Sequence, residues 1–460
     1  MTKAFKKLLI LLILVFMSIN LSGCNIIELL DIAFDIIEDF NGTNNDEEYV
    51  YPDIDVENVK TLSDLYKGIM PSIGEAKALV ILIEFPDHTH EARYTPQFMH
   101  EVFFGQGLMY ESVASYYKKS SNSKLNITGE VIGWYKTEEK SNTYERKYGD
   151  YTSDMVVKEA IEYYYSNNLI DLSKFDGNND GYIDAVYAVY SKPENEFSDV
   201  WWAYQTYFED YNTGVEDLQL GNMKLRNYVW ASSKFLNSSS IFSSTIDTTT
   251  FIHETGHLFG LDDYYDYNEY DGANVGLGCA DMMDYNVGDH CSLSKMLLGW
   301  VEPIVVSTEE TKDYTIKSFT NSGEVLLIPL SEYNGIFGEY LLIEFYTPTG
   351  LNKSNTYLTK SGVRILYVNA TLGEGGMSGN YYTLFNHDNS DTDIPLICML
   401  TKSGMVSSTQ DAANHNLFQV NDTYDAKYIY YASSEYKNFS LSIVSQNTQE
   451  STITINVKFN

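Results

Sequence analysis

One short run, His253-Glu254-Thr255-Gly256-His257-Leu258-Phe259-Gly260-Leu261-Asp262-Asp263, constrains this chain more than any other stretch. On a helix, residues four apart lie on one face, so His253 and His257 can offer imidazole nitrogens to a single metal ion. Glu254 sits one position round, outside that ligand set but within reach of a water held there, which suits it to be a general base. Zinc favours such an imidazole pair, and a catalytic zinc takes three protein ligands with a further place left for water. Gly260 has ready access to positive φ, so the chain can leave the helix there and double back. Asp263 then comes within reach as third ligand, with Asp262 the alternative on spacing alone. The competing reading is an amphipathic helix with two incidental histidines. A bare H-E-x-x-H occurs by chance, but the added glycine and terminal acid make this combination specific.

The chain has 460 residues, 44% of them hydrophobic, enough for two or three domains with sizeable cores. Sixty-four acidic against thirty basic residues give a net charge of −34, which repels phosphate backbones and excludes nucleic acid as the expected partner. The start, with Lys3, Lys6 and Lys7 before an apolar run from Leu8 to Met17, is of secretory type. It ends in Leu21-Ser22-Gly23-Cys24, which resembles a bacterial lipobox. That resemblance implies cleavage before Cys24, acylation of its thiol and new amino terminus, and lipid anchoring on the outer face of a bacterial membrane. An ordinary signal peptide or a single membrane anchor is the alternative. Cys279, Cys291 and Cys398 remain, too few for a disulfide scaffold. Whether Cys279 and Cys291 bridge the loop between them is left open by sequence.

Four regions follow: 1–24 as lipoprotein signal, 25–72 as a tether or short prosegment, 73–305 as the metal-bearing domain, and 306–460 as a β-rich domain. Residues 25–39 have the spacing of a short amphipathic helix, and 41–48 form a polar, acidic spacer. Strands are expected over 78–85, 124–134 with a break at Gly129, and 182–190; helices over 96–117, 154–165 and 292–300. That alternation argues for an α/β (α+β) domain. Beyond Lys312 the texture becomes alternating apolar runs at 314–319, 325–330, 340–346, 363–368, 439–444 and 452–459, the pattern of a β-sandwich.

Asp176-Gly177-Asn178-Asn179-Asp180-Gly181-Tyr182-Ile183-Asp184 places oxygen donors at Asp176, Asn178, Asp180, the Tyr182 carbonyl and Asp184, with glycine at the sixth position, as a calcium loop requires. The twelfth position is Tyr187, so the bidentate glutamate of an EF-hand is missing and the loop leads into a strand. The bland alternative is a polar turn. Met283 and Tyr285 have the spacing of the tight turn that holds a methionine beneath the zinc of metzincin peptidases, with Tyr285 then placed as a transition-state donor. Otherwise Met283 is core filler.

Taken together, these pieces resemble the immune inhibitor A family of bacterial secreted metallopeptidases. The likeness rests on the zinc motif through Asp266, Leu79-Val80-Ile81-Leu82-Ile83-Glu84-Phe85-Pro86-Asp87, Ser115-Tyr116-Tyr117-Lys118 to Trp134, the Asp176 loop, Leu298-Gly299-Trp300, Glu339 to Glu344, and Gly362-Val363-Arg364-Ile365-Leu366. It covers about residues 74 to 370. The resemblance implies a metzincin-like domain, zinc endopeptidase activity on proteins or peptides, bound calcium and a C-terminal β domain. By position, His253, His257 and Asp263 become zinc ligands and Glu254 the base. Residue 262 is Asp where the family often has Pro, and the N-terminal region is short for an inhibitory prodomain. A monomer is expected. The rival reading is a surface adhesion protein that keeps a peptidase-like scaffold; a zinc hydrolase of glycans or amides is a third.

Overall fold

The computed structural model describes residues 59–459, apart from 107–109, 196–197, 238–245, 267–275, 307–310, 331–332, 373–376, 379–380, 383–384, 386–387, 390–394, 403–411 and 427–437. The expected signal segment, Cys24, the 25–39 helix and the acidic spacer lie outside the described residues. Among the described residues, no helix is long and apolar enough to cross a membrane.

The architecture is mixed α/β with several sheets. The apolar run after Gly74 becomes β1 (Gly74–Glu84), which pairs in parallel with β2 (Leu125–Lys136) and with β3 (Ala185–Tyr190). The next strand, β4 (Tyr204–Tyr207), lies at the sheet edge; a hairpin of β5 (Leu218–Leu220) and β6 (Met223–Leu225) follows. Strand β7 (Asn227–Ser232) runs parallel to β3 and antiparallel to β4, so the sheet order is β2-β1-β3-β7-β4. Both faces of β1 are covered. Its alternate side chains enter different cores: Ala78, Val80 and Leu82 join one cluster, Leu79, Ile81 and Ile83 another.

Three sequence expectations shift at their ends for local reasons. The single helix expected over 96–117 is two, α1 (Pro96–Phe104) and α2 (Val113–Ser120). Each has its own N-cap: Thr95 Oγ1 accepts from the Phe98 N–H at 3.1 Å, and Ser112 Oγ accepts from the Ser115 N–H at 3.0 Å. Strand β2 runs straight through Gly129, and its irregularity falls later, where Ile81 faces Ile132 but Ile83 faces Tyr135. Helices α3 (Ser141–Tyr148), α4 (Thr152–Ser166), α5 (Thr249–Leu258) and the single turn α6 (Met282–Tyr285) precede α7 (Ser292–Leu297). Helix α7 stops short of Trp300 because the chain turns at Gly299 and the Trp300 N–H closes back on the Lys295 carbonyl at 2.7 Å.

The later strands form two further sheets. The first has the order β15-β12-β11-β10-β8 and comprises β8 (Ile304–Val305), β10 (Val325–Pro329), β11 (Gly338–Tyr346), β12 (Gly362–Ala370) and β15 (Ile397–Met399). The second comprises β9 (Lys312–Lys317), β16 (Thr423–Asp425), β17 (Phe439–Asn447) and β18 (Thr452–Phe459), in the order β16-β17-β18-β9. A turn α8 (Phe319–Ser322) and a short hairpin β13 (Met377–Ser378) with β14 (Tyr381–Tyr382) complete the elements. Leu326, Leu341, Ile343 and Ile365 share a cluster with Leu441, Ile443, Ile453 and Ile455 of the second sheet. The opposite face of the first sheet, through Leu327, Leu342 and Leu366, joins the same core as Phe251, Leu258, Met283 and Leu293. Strands β10, β11 and β12 are therefore buried on both faces, and the core is continuous across residues 305 and 306.

One buried carboxyl gives the fold a pH dependence. Asp154, in the first turn of α4, accepts from the Tyr228 hydroxyl at 2.8 Å. Burial pushes it up to about 7, whereas an unfolded aspartate titrates near about 3.9. The folded state thus binds the proton more tightly. Its stabilising contribution is complete below about pH 4 and is lost as pH rises through about 7. Asp154→Asn, which keeps the acceptor oxygen, should flatten the fall in urea midpoint between about pH 5 and pH 8. An unchanged pH profile would show that the carboxyl is not neutral in the fold.

Candidate metal centre

Helix α5 carries both histidines, and its surroundings explain how they are aimed. Tyr117 donates its hydroxyl to the Ile252 carbonyl at 2.7 Å, and the Tyr187 and Thr255 hydroxyls meet at 2.9 Å, so the back of the helix is tied into the core. Its C-terminus is closed by the Leu261 N–H on the Gly256 carbonyl at 3.1 Å, with Gly260 at φ +89°. This reversal returns the chain over the helix, as the spacing implies, and delivers Asp263.

The ligand atoms converge. His253 Nε2 lies 2.9 Å and His257 Nε2 lies 3.3 Å from Asp263 Oδ1, and the two Nε2 atoms are 3.2 Å apart. Around an ion with bonds of about 2.1 Å, tetrahedral ligand atoms stand about 3.4 Å from one another, so this triangle is close to one face of a zinc coordination shell. Among the described residues, these three are the group of His, Cys, Asp or Glu that could hold a metal ion. The other ring nitrogens are spoken for: His253 Nδ1 is 2.8 Å from the Met282 carbonyl and His257 Nδ1 is 2.7 Å from the Leu261 carbonyl. A carbonyl only accepts, so each Nδ1 carries its proton and, in the neutral ring, each Nε2 presents a lone pair.

Two lone pairs and a carboxylate oxygen this close repel unless positive charge lies between them. The balance of burial and charge says the same. Burial disfavours a charged imidazole, yet the Asp263 carboxylate outweighs it and pushes His257 up to about 10 and His253 upward. Against its own burial, Asp263 is held well below the usual carboxylate range by the two imidazoles. A divalent cation satisfies this demand as protons do, and at a thiol-free N/O site with closed second-sphere hydrogen bonds zinc fits. Glu254 is buried beside the pair; burial raises its carboxyl against the pull of the imidazoles and, more weakly, of the Gln205 backbone on edge strand β4.

The remaining expected site residues are placed as follows. Asp262 is exposed while Asp263 joins the histidines. Met283 is fully buried beneath α5. Tyr285 is 58% exposed and its ring packs edge-on to Tyr357 at 6.3 Å. Cys279 and Cys291 are not joined by a disulfide. In the 176–184 loop the carboxylates serve backbone donors: Asp176 accepts from the N–H groups of Asp180 and Gly181, both at 3.1 Å, Asp180 from that of Tyr182 at 2.9 Å, and Asp184 from those of Lys77 at 2.7 Å and Gly177 at 3.0 Å. The Asn178 side-chain oxygen accepts from the Asp180 N–H at 3.2 Å.

Sequence reading missed three contributors. The Met282 carbonyl orients His253, and a backbone acceptor leaves no mark in side-chain identity. Tyr265 sets its ring 6.4 Å from that of His253. Gly256 is needed because a Cβ there would fall 2.3 Å from Met283 Sδ. The side chain of Met283 has no solvent to move into, so Gly256→Ala should cost about 1–3 kcal/mol by overpacking. Thermal denaturation reads this as a lowered midpoint that Met283→Ala on the same chain partly restores. No drop would mean that the sulfur relocates freely.

No family model matches the chain, and neither does any curated protein.

Proposed function

We propose that this protein is a zinc-dependent endopeptidase of the immune inhibitor A type, with a metzincin-like metal domain and a β-sandwich formed by the two later sheets. The observation that carries the reading is the convergence of His253 Nε2, His257 Nε2 and Asp263 Oδ1 within 3.3 Å, with Glu254 buried at their side. Met283 packed under Gly256, as in a metzincin Met turn, supports it. So does the placing of β4, the antiparallel last strand of its sheet. An extended peptide can add to such an edge as a further strand. Lipid attachment through Cys24 on a bacterial outer surface belongs to the same reading.

A zinc ion held by the three ligands would supply Lewis acidity, polarising a peptide carbonyl and making a water acidic. Glu254 then takes the proton from that water at its carboxylate and passes it to the leaving nitrogen. Its raised affinity for a proton suits both transfers. His253 and His257 stay neutral and oriented through their Nδ1–H bonds to carbonyls.

Glu254→Gln should retain zinc at one equivalent yet lose at least about a hundredfold in the rate of casein hydrolysis, the scale of a missing acid/base group. Cleavage at the parental rate would sink the mechanism. Calcium at the 176–184 loop is the second metal of this reading. The carboxylates of Asp176, Asp180 and Asp184 keep acceptor capacity beyond the N–H groups they already receive, so calcium should raise the thermal midpoint of the parent but not of Asp176→Ala. Equal midpoints with and without calcium would leave the loop a polar turn.

A further inference from the structure

The carbonyl that orients His253 belongs to the segment from Ala280 to Ser292, and that segment is held in place by the C-terminal sheet. At one end, Arg364 Nη1 on β12 donates to the Ala280 carbonyl at 3.3 Å. At the other, Glu344 Oε1 on β11 accepts from the Ser292 N–H, which opens α7, at 2.6 Å. Between them the Asp281 carboxylate accepts from the Met283 N–H at 2.9 Å and the Cys291 N–H at 2.7 Å, closing the segment on itself. Arg364 and Glu344 face each other across the β11–β12 register, with Arg364 Nε and Nη2 at 3.0 and 2.7 Å from Glu344 Oε2. Their side chains are 3% and 0% exposed.

A buried ion pair is poor evidence of a stabilising role, because apolar residues of the same volume often fill such a space as well or better. Apolar residues cannot, however, give a donor to one end of a loop and an acceptor to the other. The pair spends its spare hydrogen-bonding capacity on the segment that carries Met282, whose carbonyl is 2.8 Å from His253 Nδ1. The orientation of an imidazole ligand is set by the partner of its second nitrogen. Met283 of the same segment accepts at its carbonyl from the Tyr264 N–H at 2.8 Å, next to Asp263. Two of the three ligand positions are thus referred to one braced loop.

We propose that Arg364 and Glu344 are positioning residues of the metal centre, holding the 280–292 segment so that the Met282 carbonyl fixes His253 Nε2 on the ion. This rests on the metal-centre reading above. The test uses the full chain, the Arg364→Met/Glu344→Leu pair variant and Arg364→Lys, which keeps a charge opposite Glu344 but loses the second arm to Ala280. Three quantities are read for each: the zinc dissociation constant by chelator competition, the thermal midpoint without metal, and the visible absorption of the cobalt-substituted protein. In the pair variant, zinc affinity should fall about 10- to 100-fold and the cobalt bands should shift, with a metal-free midpoint lowered by the loss of partners at the Ser292 N–H and Ala280 carbonyl but still that of a cooperatively folded chain. Arg364→Lys should lie between the two. Should the pair variant fail to fold, Arg364→Lys decides the matter by its affinity and its bands. Folded variants with parental affinity and parental bands would overturn the brace while leaving the metal centre standing. A parent chain that binds no zinc would overturn both.

Discussion

Mutual repulsion of electron pairs in a largely buried cluster is the condition that the rest of this structure meets. Two imidazole nitrogens and a carboxylate oxygen are held within 3.3 Å of one another, and each imidazole has its other nitrogen committed to a backbone carbonyl. Such a cluster does not form by itself in a flexible chain. It needs a helix fixed from behind by Tyr117 and Tyr187, a reversal at Gly260, and backbone acceptors in set places. The free energy of burying strands β1, β3, β7 and β10 to β12 is what holds those parts still.

The clustering of cores explains why the later sheets are part of the site's scaffold. A strand that is apolar on one face needs one neighbouring layer; β10, β11 and β12 are buried on both and therefore lie between two layers. Polar groups placed on their inner face have no water to satisfy them and must find partners in the adjoining layer. Glu344 and Arg364 do so, and their partners are in the loop under the metal helix. The buried Asp289–Lys295 pair, at 2.7 Å with the Ser120 hydroxyl also on Asp289, ties α7 to α2 by the same logic.

Sequence reasoning succeeded where the governing interactions are local. The ligand helix follows from spacing along α5, and its end follows from a glycine at a position that demands positive φ. Fully apolar runs became buried strands, and alternating ones such as β17 and β18 became strands covered on one face. It was less accurate where caps or cross-strand register decide. The division between α1 and α2 is set by Ser112 as a second N-cap, and the irregularity of β2 depends on its pairing with β1.

From the order of residues alone come the helical spacing that sets His253 and His257 on one face, the net charge of −34, and the succession of mixed α/β and strand-rich stretches, because each depends on residue type or on neighbours a few positions apart. Only the folded chain chooses Asp263 over Asp262, leaves Cys279 and Cys291 as thiols, places Tyr285 in solvent, and joins Arg364 to Ala280 across the core. Those outcomes turn on which groups meet in space after distant segments have packed, and on which polar atoms are then left without water. Neither is encoded in local spacing.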